Sequence, residues 1–111
     1  MNCIHQTTNG RLKFCGGCGN YHLEFGNIFM NLSSSQLEGF IEYVMNVDVS
    51  HALEMNKHSC NNRKLMLQIG QCGAYFCVNT EELYELRELL GKRQMRVLPN
   101  KLFIAGNLSS N

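Results

Sequence analysis

The run Cys15-Gly16-Gly17-Cys18-Gly19 is where residue types and spacing could do chemistry in this chain. Two thiolates two residues apart meet at one point only if the chain between them turns tightly. Glycines supply the positive φ values such a turn uses, and the turn directs backbone N–H groups at the sulfurs. The result would be a knuckle for a soft metal ion. A structural Zn²⁺ takes four ligands, so the Cys-x-x-Cys pair supplies half of them. Cys3 and His5 are the candidates for the rest, because side chains two apart in an extended segment point to the same side. The set Cys3, His5, Cys15 and Cys18 would form a Cys₃His site, with His22 competing for the fourth place. Four protein ligands leave no position for water, which points to a structural zinc and not a catalytic one.

Other thiol chemistry fits less well. A thioredoxin-type pair wants its first cysteine at a helix N-terminus, where the dipole lowers the thiol pKa. The flanks here alternate like strands, and Gly-Gly between the cysteines suits a hairpin turn. The plain alternative is a glycine-rich turn whose thiols bind nothing. His58 and Cys60 form a second close pair with no knuckle to join. Cys72 and Cys77 read as one turn residue and one strand residue. The six cysteines would suit disulfides in a secreted chain, but the N-terminus lacks the basic start and apolar stretch of a secretory signal. The expectation is a cytoplasmic protein with reduced thiols.

The elements that must position the knuckle are legible around it. Residues 11–14 and 20–25 alternate apolar and polar, so the knuckle would cap a hairpin, as in zinc ribbons. Tyr21, Leu23 and Phe25 form one face of a strand, Gly26-Asn27 reverses the chain, and Ile28, Met30 and Leu32 continue the apolar face. Ser33 to Gln36 offer an N-cap and capping box, followed by Leu37, Phe40, Ile41 and Val44 at helical spacing. The pattern then recurs. Leu65, Leu67 and Ile69 alternate, Gln71-Cys72-Gly73 turns, and Ala74, Phe76 and Val78 alternate again. Asn79 or Thr80 caps a helix with Glu81 and Glu82 in its first turn, an apolar stripe of Leu83, Leu86, Leu89 and Leu90, and Gly91 as its C-cap. Leu23 aligns with Leu67, Gly26 with Gly70, Phe29 with Tyr75, Ser33 with Asn79 and Leu37 with Leu83.

The expected fold is α+β: two ββα units forming a mainly antiparallel, four-stranded sheet with two helices on one face, preceded by the zinc-ribbon-like hairpin. One domain would span 1–111, with the knuckle and first half in 3–45, the second half in 63–91 and a tail in 95–111. The connection over 46–62 should be a loop with one extra helical turn near 51–55. The outer sheet face would carry His22, Glu24, Phe29, Asn31, Lys64, Met66, Gln68, Tyr75 and Cys77. That face is too apolar to sit bare in water, so the C-terminal tail or a second subunit is expected to cover it.

The run Cys3-x-His5, Cys15-x-x-Cys18, Tyr21-His22-Leu23-x-Phe25-Gly26-Asn27 resembles a family of small proteins from gut and environmental Bacteroidetes. The resemblance covers about residues 3–45. It implies that the C-x-H and C-x-x-C pairs belong together and brings no activity with it.

Composition narrows the function. Hydrophobic residues are 44% of the chain, enough for a core. The net charge of +1 favours neither nucleic acid nor an anionic membrane, and no apolar run is long enough to span a bilayer. Signatures of common hydrolase, nucleotide-binding and metalloprotease sites are missing from the sequence. The expectation is a non-enzymatic interaction or regulatory module with a structural zinc, its partner another protein or a second copy. A nucleic-acid-binding ribbon is the alternative, on the basic residues Lys92, Arg93, Arg96 and Lys101 together with Arg11 and Lys13.

Overall fold

In a computed structural model, which describes residues 2–70 and 73–97, the chain is α+β. Four strands come first: β1 (Asn2–Gln6), β2 (Gly10–Cys15), β3 (Asn20–Phe25) and β4 (Ile28–Leu32). They form one antiparallel sheet in sequence order. Helices α1 (Ser34–Met45) and α2 (Val49–Met55) follow, then a separate antiparallel hairpin of β5 (Leu65–Ile69) and β6 (Ala74–Val78), and finally α3 (Thr80–Val97).

The two ββα units are β3-β4-α1 and β5-β6-α3, and their parts correspond in detail. Gly26 and Gly70 turn the chain with φ of 61° and 64°. Leu23 and Leu67 are buried on the inner face, and so are Leu37 and Leu83 at the start of each helix. Each helix opens with a reciprocal cap. The Gln36 N–H donates to Ser33 Oγ while the Ser33 N–H donates to Gln36 Oε1. The Glu82 N–H donates to Asn79 Oδ1 at 2.8 Å, and the Asn79 N–H donates to Glu82 Oε1 at 2.8 Å. Each cap satisfies N–H groups that a helix start leaves without partners.

The two units differ from expectation in one respect: their strands do not join in a single sheet. The four-stranded sheet is completed by β1 and β2, which pair on the other side of β3. The Gln68 N–H, on β5, donates to the Tyr43 hydroxyl of α1 at 2.9 Å. That backbone group is satisfied by a helix side chain, where a neighbouring strand would otherwise satisfy it. A cleft of about 320 Å³ remains between β4, α1 and the end of β5, lined by Leu32, Phe40, Tyr43 and Ile69.

One apolar core draws on both units. Leu12, Leu23 and Phe25 of the sheet pack with Leu37, Ile41 and Val44 of α1, with Leu65, Leu67, Phe76 and Val78 of the hairpin, and with Leu83, Leu86, Leu89 and Leu90 of α3. Phe25 and Phe76 meet edge to face with ring centroids 5.9 Å apart, which ties the sheet to the hairpin. At Gly10 the core closes on the backbone. A Cβ there would lie 2.7 Å from both Leu89 Cδ2 and Phe25 Cδ1.

The last helix also corrects the expected C-cap. α3 runs through Gly91 and ends at Val97. A mid-helix glycine costs only about 1 kcal/mol relative to alanine, and the following Lys92, Arg93, Gln94 and Met95 are good helix formers. Residues 95–97 therefore belong to the helix. The rest of the expected tail, with Lys101 and the turn residues Gln71 and Cys72, lies outside the described residues. The connection between the units does contain a short helix, two residues longer at its start than expected and capped by Asp48, whose side chain accepts the His51 N–H at 3.1 Å. Among the described residues no helix is long and apolar enough to cross a membrane.

Candidate metal centre

Cys15 and Cys18 sit at the turn joining β2 to β3. Cys15 ends β2, opposite Asn20 on β3. The Gly19 N–H closes the turn on the Cys15 carbonyl at 2.8 Å, with Gly19 at a φ of 73° that only glycine adopts freely. The neighbouring Cys18 thiol and the backbone N–H groups of Cys18 and Gly17 draw the Cys15 thiol below its ordinary range. Cys18 itself is exposed, its sulfur 3.9 Å from the Cys15 carbonyl oxygen. Donors aimed at a sulfur stabilise its thiolate, which is the form that binds metal.

The positions of the other candidates follow from strand register. Residues paired across an antiparallel ladder share a face, and successive residues alternate. Leu12 pairs with Leu23, both buried, so that face is inner. Lys13 pairs with His22 and Arg11 with Glu24, so those four side chains are on the outer face, together with Cys15. On β1, Cys3 pairs with Lys13 and is outer, whereas His5 pairs with Leu12 and is inner. The register shifts between Cys3 and His5, a β-bulge. The extra residue cancels the alternation, so two positions that should share a side lie on opposite sides of the sheet.

His5 accordingly looks toward α3. Its Nε2 is buried without a hydrogen bond and lies 4.0 Å from Glu88 Oε2. Cys3 is exposed, its thiol 3.6 Å from the His5 carbonyl oxygen. The His22 ring rests against Phe29, with centroids 5.3 Å apart. Lys13 leans away from the knuckle, its Nζ 3.7 Å from a Glu24 carboxylate oxygen.

The structure thus brings Cys15 and Cys18 together, places Cys3 and His22 on the same face of the flanking strands, and separates His5 from all of them. Side chains of three or more His, Cys, Asp or Glu residues do not converge into a ready metal cage among the described residues. The donor chemistry still fits a soft divalent ion: two thiols on one turn, with a further thiol and an imidazole on the same face of the flanking strands.

Two features near the site carried no signal in the sequence. One is the bulge, since Cys3-Ile4-His5 contains no glycine or turn residue. The other is the anchoring of the β1–β2 turn. Glu85 of α3 accepts hydrogen bonds from Thr7 Oγ1 at 2.6 Å, the Asn9 N–H at 2.7 Å and Asn9 Nδ2 at 2.9 Å. Partial burial pushes the Glu85 carboxyl up, but these donors outweigh it and leave its pKa below the usual range.

A second surface lies away from the knuckle. Phe29 and Tyr75 occupy equivalent places in the two hairpins and are 55% and 53% exposed. Met66 is exposed as well. A cleft of about 420 Å³ between the β3–β4 turn and β6 is lined by Ile28, Tyr75 and Cys77, with the Arg63–Glu82 ion pair beside it.

Comparison with curated proteins and with solved structures finds no match. A family profile does match, over residues 1–105, which takes in the knuckle, both ββα units and the whole of α3: the chain belongs to a family of unknown function, DUF6686.

Proposed function

We propose that the protein is a small interaction module in which a structural zinc at the knuckle fixes one end of the four-stranded sheet. Cys15 and Cys18 anchor the ion, with further ligands drawn from Cys3, His5 and His22. The observation that supports this reading is the turn itself, which the Gly19 N–H closes on the Cys15 carbonyl and which sets the Cys15 and Cys18 thiols together at the end of a hairpin. The position favours a structural over a redox role: the pair caps a β-hairpin and lacks the helix N-terminus that tunes redox cysteines.

The interaction surface is the outer side of the two hairpins. Phe29, Met66 and Tyr75 present large apolar side chains to solvent there, at matching positions in the case of the two aromatics. Its partner is another protein or a second copy of the chain, met in a reducing compartment such as the cytoplasm.

Elemental analysis of the purified full chain tests the zinc. About one zinc per chain, lost in Cys15→Ser, is expected. A metal-free protein whose Cys15→Ser variant melts at the same temperature would contradict the reading.

A further inference from the structure

We infer that the knuckle ion takes its two remaining ligands from Cys3 and His22 and none from His5, making a Cys₃His centre on the outer face of β1, β2 and β3. The inference rests on the proposal that the knuckle holds a metal and deepens it by fixing the ligand set.

Register is the first argument. Cys3 and His22 pair with the same residue, Lys13, from its two sides. Cys15 is two positions along β2 from Lys13, so it is the diagonal neighbour of both. Diagonal neighbours on a sheet face have Cα atoms about 7–8 Å apart, within reach of a long or aromatic side chain. Two sulfurs sharing a tetrahedral zinc need to approach to about 4 Å, given Zn–S bonds of about 2.3 Å. Rotation of the exposed Cys3 side chain, and of His22 away from Phe29, therefore brings both toward Cys15 and Cys18 with no change in strand pairing.

His5 has no such route. It is on the inner face, its Nε2 buried beside Glu88 with α3 packed over it. To reach the knuckle it would have to pass through the sheet, or the bulge at Ile4 would have to be undone and the register of β1 lost.

Charge is the second argument. Zn²⁺ with three thiolates and a neutral imidazole leaves one net negative charge. Lys13, between Cys3 and His22, supplies a nearby cation. Its ammonium is drawn toward Glu24, on the far side from Cys15, and meets the site's charge only by turning from that partner.

Cobalt titration of the metal-free full chain tests the ligand set, because Co²⁺ takes zinc's place and reports each thiolate as a charge-transfer band. The wild type should bind about one Co²⁺ with a tetrahedral spectrum. Cys3→Ser should lose about a third of the thiolate band, as one of three sulfurs goes. His22→Ala should shift the d–d bands and weaken binding by about tenfold or more, since even outer-shell ligand partners are worth that much. His5→Ala should leave the spectrum unchanged. Nitrogen shifts of the histidine rings on zinc addition give a readout free of mutation: His22 should move as a metal ligand and His5 should not. If Cys15→Ser abolishes binding while His5→Ala shifts the bands and His22→Ala does not, the ligand set is wrong and the knuckle stands. If the wild type binds no Co²⁺, the knuckle itself falls, and this inference with it.

Discussion

Cys3 and His5 are separated by a single residue, yet they end on opposite faces of one sheet. Spacing in the sequence gives a strand's side-chain alternation, and one inserted residue reverses it for everything beyond. The Cys-x-x-Cys turn could be read from residues 15–19, although of its three glycines only Gly19 takes the expected positive φ, while the expectation that Cys3 and His5 share a side did not hold. Nothing in Cys3-Ile4-His5 announces a bulge, and only the pairing with Leu12 and Lys13 reveals it. Gly10 shows the same limit. Its place in a strand looks unremarkable in sequence, but the core fills the space its side chain would need. Gly10→Ala should destabilise the protein by about 1–3 kcal/mol through overpacking against Leu89 and Phe25, measured by denaturant unfolding. At Gly16, where a Cβ would meet nothing within 4 Å, alanine should cost much less.

At the scale of elements, local signals did well. Both helix N-caps, both ββα units and the hairpin under the Cys-x-x-Cys turn follow from patterns within a few residues, while the reciprocal Asn79–Glu82 pair came only with the structure. What failed depended on distant partners. The hairpin β5–β6 stays apart from β4, and the Tyr43 hydroxyl takes the Gln68 N–H. α3 runs past Gly91 because continuing a helix through one glycine costs less than the good helix formers after it return. α3 also fastens the β1–β2 turn through Glu85, and this link should make stability depend on pH. Glu85 and Glu82 both have pKa values below the usual carboxylate range, Glu82 chiefly through its hydrogen bonds with Arg63. A carboxylate whose folded pKa is depressed contributes stability that is present above its unfolded pKa, about 4.3, and is lost as pH falls through the folded value. Thermal stability should therefore decline on acidification below about pH 4.3. Glu85→Gln should cost on the order of 1 kcal/mol at neutral pH and flatten that decline. A variant with an unchanged acid profile would remove the turn anchor from the account.

At the scale of the molecule, the two units share a core. Leu86 of α3 is fully buried in the same cluster as Leu12 of β2 and Leu37 of α1. Leu86→Ala should cost about 2–5 kcal/mol, and helix and sheet signals should shift together in one transition. The surface divides between the Cys-x-x-Cys end of the sheet, where we propose an ion, and hairpin faces that expose Phe29 and Tyr75. Their replacement by serine together should leave melting nearly unchanged while reducing self-association or partner binding. The direct measurement of the central claim is melting temperature with zinc and with a chelator. Zinc bound only by the folded chain should raise stability by about 4 kcal/mol at a thousandfold excess over Kd, with the raised melting point lost on chelation and absent in Cys15→Ser. A wild-type melting temperature indifferent to zinc and chelator alike would contradict a structural metal at the knuckle.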